Sequence, residues 1–244
     1  LIGTSGFSYP HWRAVFYPCD LKPTHWLSYY SQTFNTVELN TTFYRLPSET
    51  TVHRWAEETP PEFLFAVKAS RFITHIQKLR DPDLAIANFL ECLSPLNQKL
   101  GPILFQLPPS LSYSPELLDH FCEVLRTQPL IPSFKVTLEV RHPSWLVPQV
   151  FQQLKQENIA LCFTDLSILP VSEPLTADFV YIRRHGPTLQ YGSNYEPAML
   201  EADAQRIIEW NRRGREVYLY FNNDARGYAV QNALHLKEII ESQR

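Results

Sequence analysis

No stretch of this 244-residue chain is apolar for long enough to span a bilayer, no Gly/Ser-rich linker or charge run divides it, and its four cysteines form no CxxC pair. The first absence excludes a transmembrane helix. The second leaves nothing to separate two units, so a single domain over residues 1–244 is expected. The third excludes a ribbon-type zinc site and a thioredoxin-like motif, so Cys19, Cys92, Cys122 and Cys162 read as buried free thiols of a reducing compartment. There is no GxGxxG after an apolar run, no Walker loop, no GxSxG elbow and no HxH or HExxH pair, hence no organic-cofactor motif and no ready-made nucleophile or multinuclear metal site. The formal charge is only -3, which predicts no global attraction to nucleic acid or anionic lipid. The chain opens on a strand-like run rather than a signal peptide, and a cytoplasmic location is expected.

What the chain does have is eight short apolar runs that end in polar residues: LIGTS, TVELN, LFAVK, ILFQLP, KVTLEVR, ALCFTD, FVYIRRH and VYLYFNN. Most alternate with period two, the signature of a strand with two unlike faces. In KVTLEVR, Val136, Leu138 and Val140 oppose Thr137, Glu139 and Arg141; in FVYIRRH, Val180 and Ile182 oppose Tyr181, Arg183 and His185. Helical patterns fill the gaps, with Ser48 and Ser114 as N-caps, Pro115 at a first helical position and Gly214 as a C-terminal stop. Only the gap after Asp165, interrupted by Pro170 and Pro174, lacks one.

Strict strand–helix alternation predicts an α/β chain of parallel strands with right-handed crossovers, and eight such units fit a (β/α)8 TIM barrel with an irregular sixth unit. An open doubly wound sheet is the main rival, but its strands should be apolar on both faces. In a barrel the polar faces point into the pore. They aim Glu38, Asn40, Lys68, Gln106, Glu139, Arg141, Asp165, Arg183, His185, Asn222 and the adjacent Asn223 at one mouth. Buried charge costs several kcal/mol per ion unless partners satisfy it, so such a set is either a salt-bridge network or a binding site.

Three acids there meet three permanent bases, with His185 as the titratable surplus. Such a balance disfavours a multinuclear metal hydrolase, leaving a single divalent ion on Glu139, Asp165 and His185 as an open but unfavoured arrangement. Arg141 and Arg183 suit a bidentate carboxylate or phosphate. The leading expectation is therefore an acid/base lyase, isomerase or hydrolase acting on a small anionic substrate. Arg141 and Arg183 would clamp the anion, Glu139 or Asp165 would act as base, and His185 or Lys68 as acid. Lys68 could instead be a Schiff-base nucleophile or a lysine held in an ion pair.

Aromatic residues crowd the segments after the strands: Phe7, Tyr9, Trp12, Phe16, Tyr17, Phe43, Tyr44, Trp145, Tyr191 and Tyr195. They read either as a stacking floor for a base or sugar, with Tyr195 among the substrate contacts, or as packing between loops and helices. A nucleic-acid protein with Arg71, His75, Lys78, Arg80, Arg212, Arg213 and Arg215 as a basic rim is the second expectation, and a non-catalytic metabolite binder the third. Oligomeric state is not readable from the sequence.

The segments GTSGFSYPHWRAVFYP, FNTVELNTTFYRLPS, FAVKASRFITH, LFQLPPS, LEVRHPSW, YIRRHG and YFNNDARGYAVQNA closely resemble the YecE-like family of unknown function, DUF72, over nearly the whole chain. The resemblance implies a TIM barrel, distantly similar to the xylose isomerase and endonuclease IV superfamily, in bacterial and archaeal cytoplasmic proteins. It implies no reaction. Motif positions carried over are Glu38, Asn40, Lys68, His75, Gln106, Glu139, Arg141, Asp165, Arg183, His185, Asn222 and Asn223, while Phe7 stands where the family usually has Trp.

Overall fold

The eight apolar runs become nine strands, because one of them breaks in two. In the computed structural model, which describes residues 1–128, 134–165 and 174–243, these are β1 (Ile2–Thr4), β2 (Thr36–Leu39), β3 (Leu64–Lys68), β4 (Leu100–Gln106), β5 (Val136–Glu139), β6 (Ile159–Leu161), β7 (Phe163–Thr164), β8 (Phe179–Arg184) and β9 (Glu216–Phe221). The ALCFTD run supplies β7 and most of β6, parted at Cys162. The helices are α1 (Trp26–Tyr30), α2 (Thr41–Tyr44), α3 (Glu49–Glu57), α4 (Asp83–Leu93), α5 (Pro115–Arg126), α6 (Pro148–Gln156), α7 (Pro197–Arg212) and α8 (Tyr228–Ser242). Ser48 and Ser114 accept from Thr51 N and Leu117 N, the expected N-caps, and Gly214 ends the α7 turn at φ 74. No described helix is long and apolar enough to cross a membrane. The irregular sixth unit predicted after Asp165 falls largely on residues 166–173, outside the described residues.

All strand pairs are parallel, in a five-stranded sheet β2-β3-β4-β5-β6 and a four-stranded sheet β1-β9-β8-β7. Where the alternation predicts one continuous ring of ladders, there are two sheets, and a side-chain hydroxyl stands at each seam. Between β1 and β2, Thr4 N donates to Tyr30 Oη at 3.0 Å, and that hydroxyl donates to Thr36 O at 3.1 Å. Gly3 is required there, since a Cβ on it would collide with the Thr36 carbonyl oxygen. One step further on, Ser5 and Glu38 form a parallel bridge. Beside β6, Leu161 N donates to Thr176 Oγ1 at 2.8 Å and Thr176 Oγ1 donates to Ile159 O at 2.7 Å, taking the ladder positions a neighbouring strand would fill.

Two apolar layers hold this arrangement. The larger lies between sheets and helices, where the Val, Leu and Ile faces of the strands meet Phe89, Phe121, Leu154, Ile207 and Leu236. The smaller is enclosed on the other faces of the strands: Ala66, Leu104, Ala160 and Cys162 face Phe179, Tyr181, Tyr218 and Tyr220. Small residues on one side leave room for the aromatic rings on the other. The aromatic segment after β1 packs on itself: Trp12 and Tyr17 are fully buried, with Tyr17 stacked on Trp26 at 5.0 Å. Trp12 and Tyr17 are thus engaged in loop packing, while Phe7, Tyr9 and Phe16 are half-buried. Of the four free thiols only Cys122 and Cys162 are buried; Cys19 is exposed, so the expectation of buried cysteines fails there.

Candidate functional site

Above the enclosed aromatic layer, at the C-terminal ends of the strands, lies an ionic layer removed from water. Glu38 and Glu139 are 0 % exposed, Arg183 1 % and His185 0 %. Their positions follow from the period-two parity: β8 presents Phe179 and Tyr181 to the apolar layer and Arg183 one step above.

Arg183 organises the layer. Its Nε donates to Glu38 Oε2 at 2.9 Å and its Nη2 to Glu38 Oε1 at 2.8 Å, a bidentate fork, while Nη1 donates to Glu139 Oε2 at 2.8 Å. The remaining N–H groups of Nη1 and Nη2 face His185 Nε2 and Ser5 Oγ, each at 3.4 Å. All five donors are engaged inside the protein. Glu38 also accepts from Tyr181 Oη at 2.7 Å and from Ser5 Oγ. Glu139 accepts from Gln106 Nε2 at 2.9 Å and pairs with Arg141 through Oε1. Burial alone would raise the Glu139 carboxyl, but the Arg183 and Arg141 charges outweigh it and hold its pKa down to about 2.

These contacts change several expected roles. Arg183 has no donor left for a further anion, so of the two arginines expected to form a clamp only Arg141 keeps a donor without a partner. A carboxylate at about 2 is a poor base near neutral pH, which removes Glu139 from that task. His185 is neutral: burial first, then the Arg183 charge, push its pKa down to about 2. Its Nε2 faces the Arg183 guanidinium at 3.4 Å and its Nδ1 the Asn222 amide nitrogen Nδ2 at 3.1 Å, both of them donors, so neither ring nitrogen meets a group that could take a proton from it. His185 therefore acts as an acceptor rather than an acid.

Asp165 does not join the set. In β7, Thr164 registers with the inward Arg183, and Phe163 packs outward against Trp210, so Asp165 has the outward parity. Its carboxylate instead accepts from His185 N at 3.0 Å and from Tyr195 Oη. Tyr195 in turn accepts from Gly186 N at 2.8 Å, which makes it a loop clasp rather than a substrate contact. Asn223 faces α8, donating to Asn232 Oδ1 at 2.8 Å and to Ser193 O at 2.9 Å. Among the described residues no three His, Cys, Asp or Glu side chains group as metal ligands. Glu139, Asp165 and His185 in particular are each committed to other partners.

The open part of the site is the rim over β2 to β5. Lys68, at the end of β3, is half-buried, with Nζ 4.0 Å from the centroid of the Phe43 ring. Burial first and the Arg183 charge second lower its pKa to about 8. His75 meets the same Phe43 ring edge-on at 4.9 Å, and its pKa is lowered by burial and by Lys68, Arg71 and Arg141. The side chain of Arg141 is 17 % exposed. Its Nε and Asn40 Oδ1 are buried without partners. The basic rim expected for nucleic acid is divided: Arg71 to Arg80 follow β3, whereas Arg212 to Arg215 precede β9 at the opposite ends of these parallel strands.

Sequence reading passed over two contributors. Tyr181 shares the parity of Arg183 two residues earlier and was legible on that ground, whereas Ser5 lies just beyond β1 and carries no periodic signal; Phe43, named only as one of the aromatics, sits in α2 under Lys68 Nζ.

Comparison with known proteins fits this arrangement. The chain is 34 % identical over 144 residues to protein YecE of Escherichia coli, a match covering 59 % of this chain and 49 % of that protein, so it spans about half the length of that relative. It is 26 % identical over 246 residues to protein YunF of Bacillus subtilis, covering 88 % and 86 %. The crystal structure of a DUF72 family protein from Thermotoga maritima superposes with a TM-score of 0.86 at 32 % identity, over 98 % of each chain. With the family model for the protein of unknown function DUF72 matching residues 1–244, the chain belongs to the DUF72 family.

Proposed function

We propose that the two parallel sheets are halves of one (β/α)8 barrel, a single cytoplasmic domain whose mouth binds a small anionic substrate for acid/base chemistry. Closure is supported at both seams, by the Ser5–Glu38 bridge on one side and by the single residue Cys162 between β6 and β7 on the other. A site at the C-terminal ends of the strands is where such barrels do their chemistry.

The observation that carries the reading is an unbalanced cation. Within the ionic layer Glu38 and Glu139 saturate Arg183 and one nitrogen of Arg141, and Lys68 has no carboxylate partner among the described residues. A half-buried ammonium beside a partly free guanidinium is a ready counter-charge for a carboxylate or phosphate. Arg141 Nε supplies a directed donor and Asn40 Oδ1 an acceptor for a substrate hydroxyl. Of the titratable groups present, Lys68, lowered to about 8, has a value suited to proton transfer near neutrality, and His75 lies beside it with its pKa lowered by burial and by the Lys68 charge.

Titration of wild type, Arg141→Ala and Lys68→Met with inorganic phosphate and with small hydroxy- and oxo-carboxylates, followed by thermal melting and calorimetry, tests the site. Each lost charge-assisted contact should weaken binding by about 1.5–3 kcal/mol, roughly 10- to 100-fold. No shift with any of these anions, or equal shifts in all three proteins, refutes the reading. Binding without conversion of any bound compound supports a metabolite-binding protein instead.

A further inference from the structure

Three other half-buried lysines have oxygen acceptors. Lys99 Nζ donates to Thr59 O at 2.7 Å and to Ala56 O, Lys135 pairs with Glu216 at 3.2 Å, and Lys237 donates to Thr33 O. Lys68 Nζ has none among the described residues, and rests instead on the apolar face of Phe43. The reason is geometric: every oxygen of Glu38 and Glu139, the nearest acids, is already taken by Arg183, Arg141, Gln106, Tyr181 or Ser5. A half-buried amine seated on an aromatic ring, with no carboxylate in contact with it, has the setting of a nucleophile rather than of a structural cation.

We propose that Lys68 condenses with the carbonyl group of a small carbonyl compound bearing a carboxylate or phosphate, forming a protonated imine. The proposal rests on the anion-binding reading above and names the substrate class for that site. In the step, the neutral Nζ lone pair forms a bond to the carbonyl carbon and the C=O π pair moves to oxygen. One Nζ proton is transferred to that oxygen. A further proton from the medium converts the hydroxyl to water, which leaves as the nitrogen lone pair closes the C=N bond. The balance is ammonium plus carbonyl giving iminium plus water, with no oxidant or reductant. His75, sharing the Phe43 ring with Lys68, is placed to relay these protons as a neutral imidazole. Arg141 Nε would take the anionic group and Asn40 Oδ1 a hydroxyl of the carbonyl compound. The iminium then serves as an electron sink for proton loss at the adjacent carbon, which is the chemistry of isomerases and lyases. The lowered Lys68 pKa of about 8 agrees with this use, since a sizeable share of the amine is neutral near physiological pH.

The test is reductive trapping. Wild-type protein is incubated with glyoxylate, with glyceraldehyde 3-phosphate and with neutral propionaldehyde in the presence of cyanoborohydride, and modified lysines are mapped by peptide mass spectrometry. Adduct at Lys68 should form about tenfold faster than at exposed Lys155, and faster with the two anionic aldehydes than with propionaldehyde. The comparison of sites within wild type needs no variant; Lys68→Met, checked for folding by circular dichroism, should lose the fast adduct alone. Label spread over lysines according to exposure, or no label at Lys68, overturns the proposal. If inorganic phosphate still raises the melting temperature in that case, the imine falls and the anion site stands; if it does not, both fall.

Discussion

Replacing Arg183 by Met keeps the aliphatic stem and removes the charge that Glu38 and Glu139 share. Sequence reasoning alone expects such a change to weaken ligand binding and spare the fold; the contacts reverse that expectation. Breaking a buried ion pair by deleting one partner leaves an uncompensated charge and costs about 3–5 kcal/mol, and here two carboxylates lose the same partner. Glu139 gives an independent scale: the gap between its ordinary 4.5 and about 2 corresponds to about 3 kcal/mol. Urea unfolding followed by tryptophan fluorescence, with an m-value of about 3 kcal/mol/M, should show a midpoint lowered by about 1–2 M at pH 7. The pH dependence separates charge from packing. In wild type the Glu139 carboxyl is depressed, so its contribution is complete above 4.5 and is lost as pH falls towards 2. In Arg183→Met the buried carboxyls are left without that charge, so the penalty fades as they take up protons between pH 7 and about 4.5 and is gone below it. The difference between the two proteins must shrink on acidification, whereas a cavity would cost the same at every pH. A deficit under about 1 kcal/mol at pH 7, or one unchanged between pH 7 and pH 4, refutes the account.

Two smaller predictions follow from the seam and from the loop clasp. Tyr30→Phe removes the hydroxyl between Thr4 N and Thr36 O, leaving a buried donor unsatisfied; a loss of about 1–3 kcal/mol with faster amide exchange at Thr4 is expected, and unchanged exchange would sink the seam argument. Asp165→Asn takes the carboxylate from His185 N and Tyr195 Oη, so limited proteolysis should cut within residues 186–195 while phosphate binding at Arg141 persists; loss of binding with an intact loop would place Asp165 in the site after all.

Periodicity carried the large features because they are repeated physical constraints. A strand buried on both faces by different materials, helix side chains without and tyrosines or ions within, has to alternate, and KVTLEVR and FVYIRRH record that directly. The same rule named Glu38, Glu139 and Arg183 as neighbours. It could not say what they were doing, because parity gives the face and not the partner. Arg183 looks like an anion clamp until its five donors are counted against Glu38, Glu139, His185 and Ser5. Asp165 misled for a related reason. ALCFTD alternates weakly, and the register of Thr164 with Arg183, which a single strand does not contain, decides which way Asp165 points. The two seams were likewise beyond reach: Tyr30 and Thr176 act from outside the strands they join.

The saturated layer and the unsaturated rim have a common cause. Glu38 receives donors from Ser5, just beyond β1, and from Tyr181 and the Arg183 fork of β8; Glu139 receives them from β4, β8 and Arg141. Such crowding immobilises both carboxylates, leaves them unavailable to any further cation, and holds Glu139 ionised. Lys68, two residues beyond Ala66 on the inward face of β3, finds no carboxylate oxygen free to contact. Burial and the Arg183 charge destabilise its ammonium, and the charges of Glu139 and Glu38 offset only part of this. The buried network, with its own acceptors taken, leaves the Lys68 amine without a carboxylate contact among the described residues.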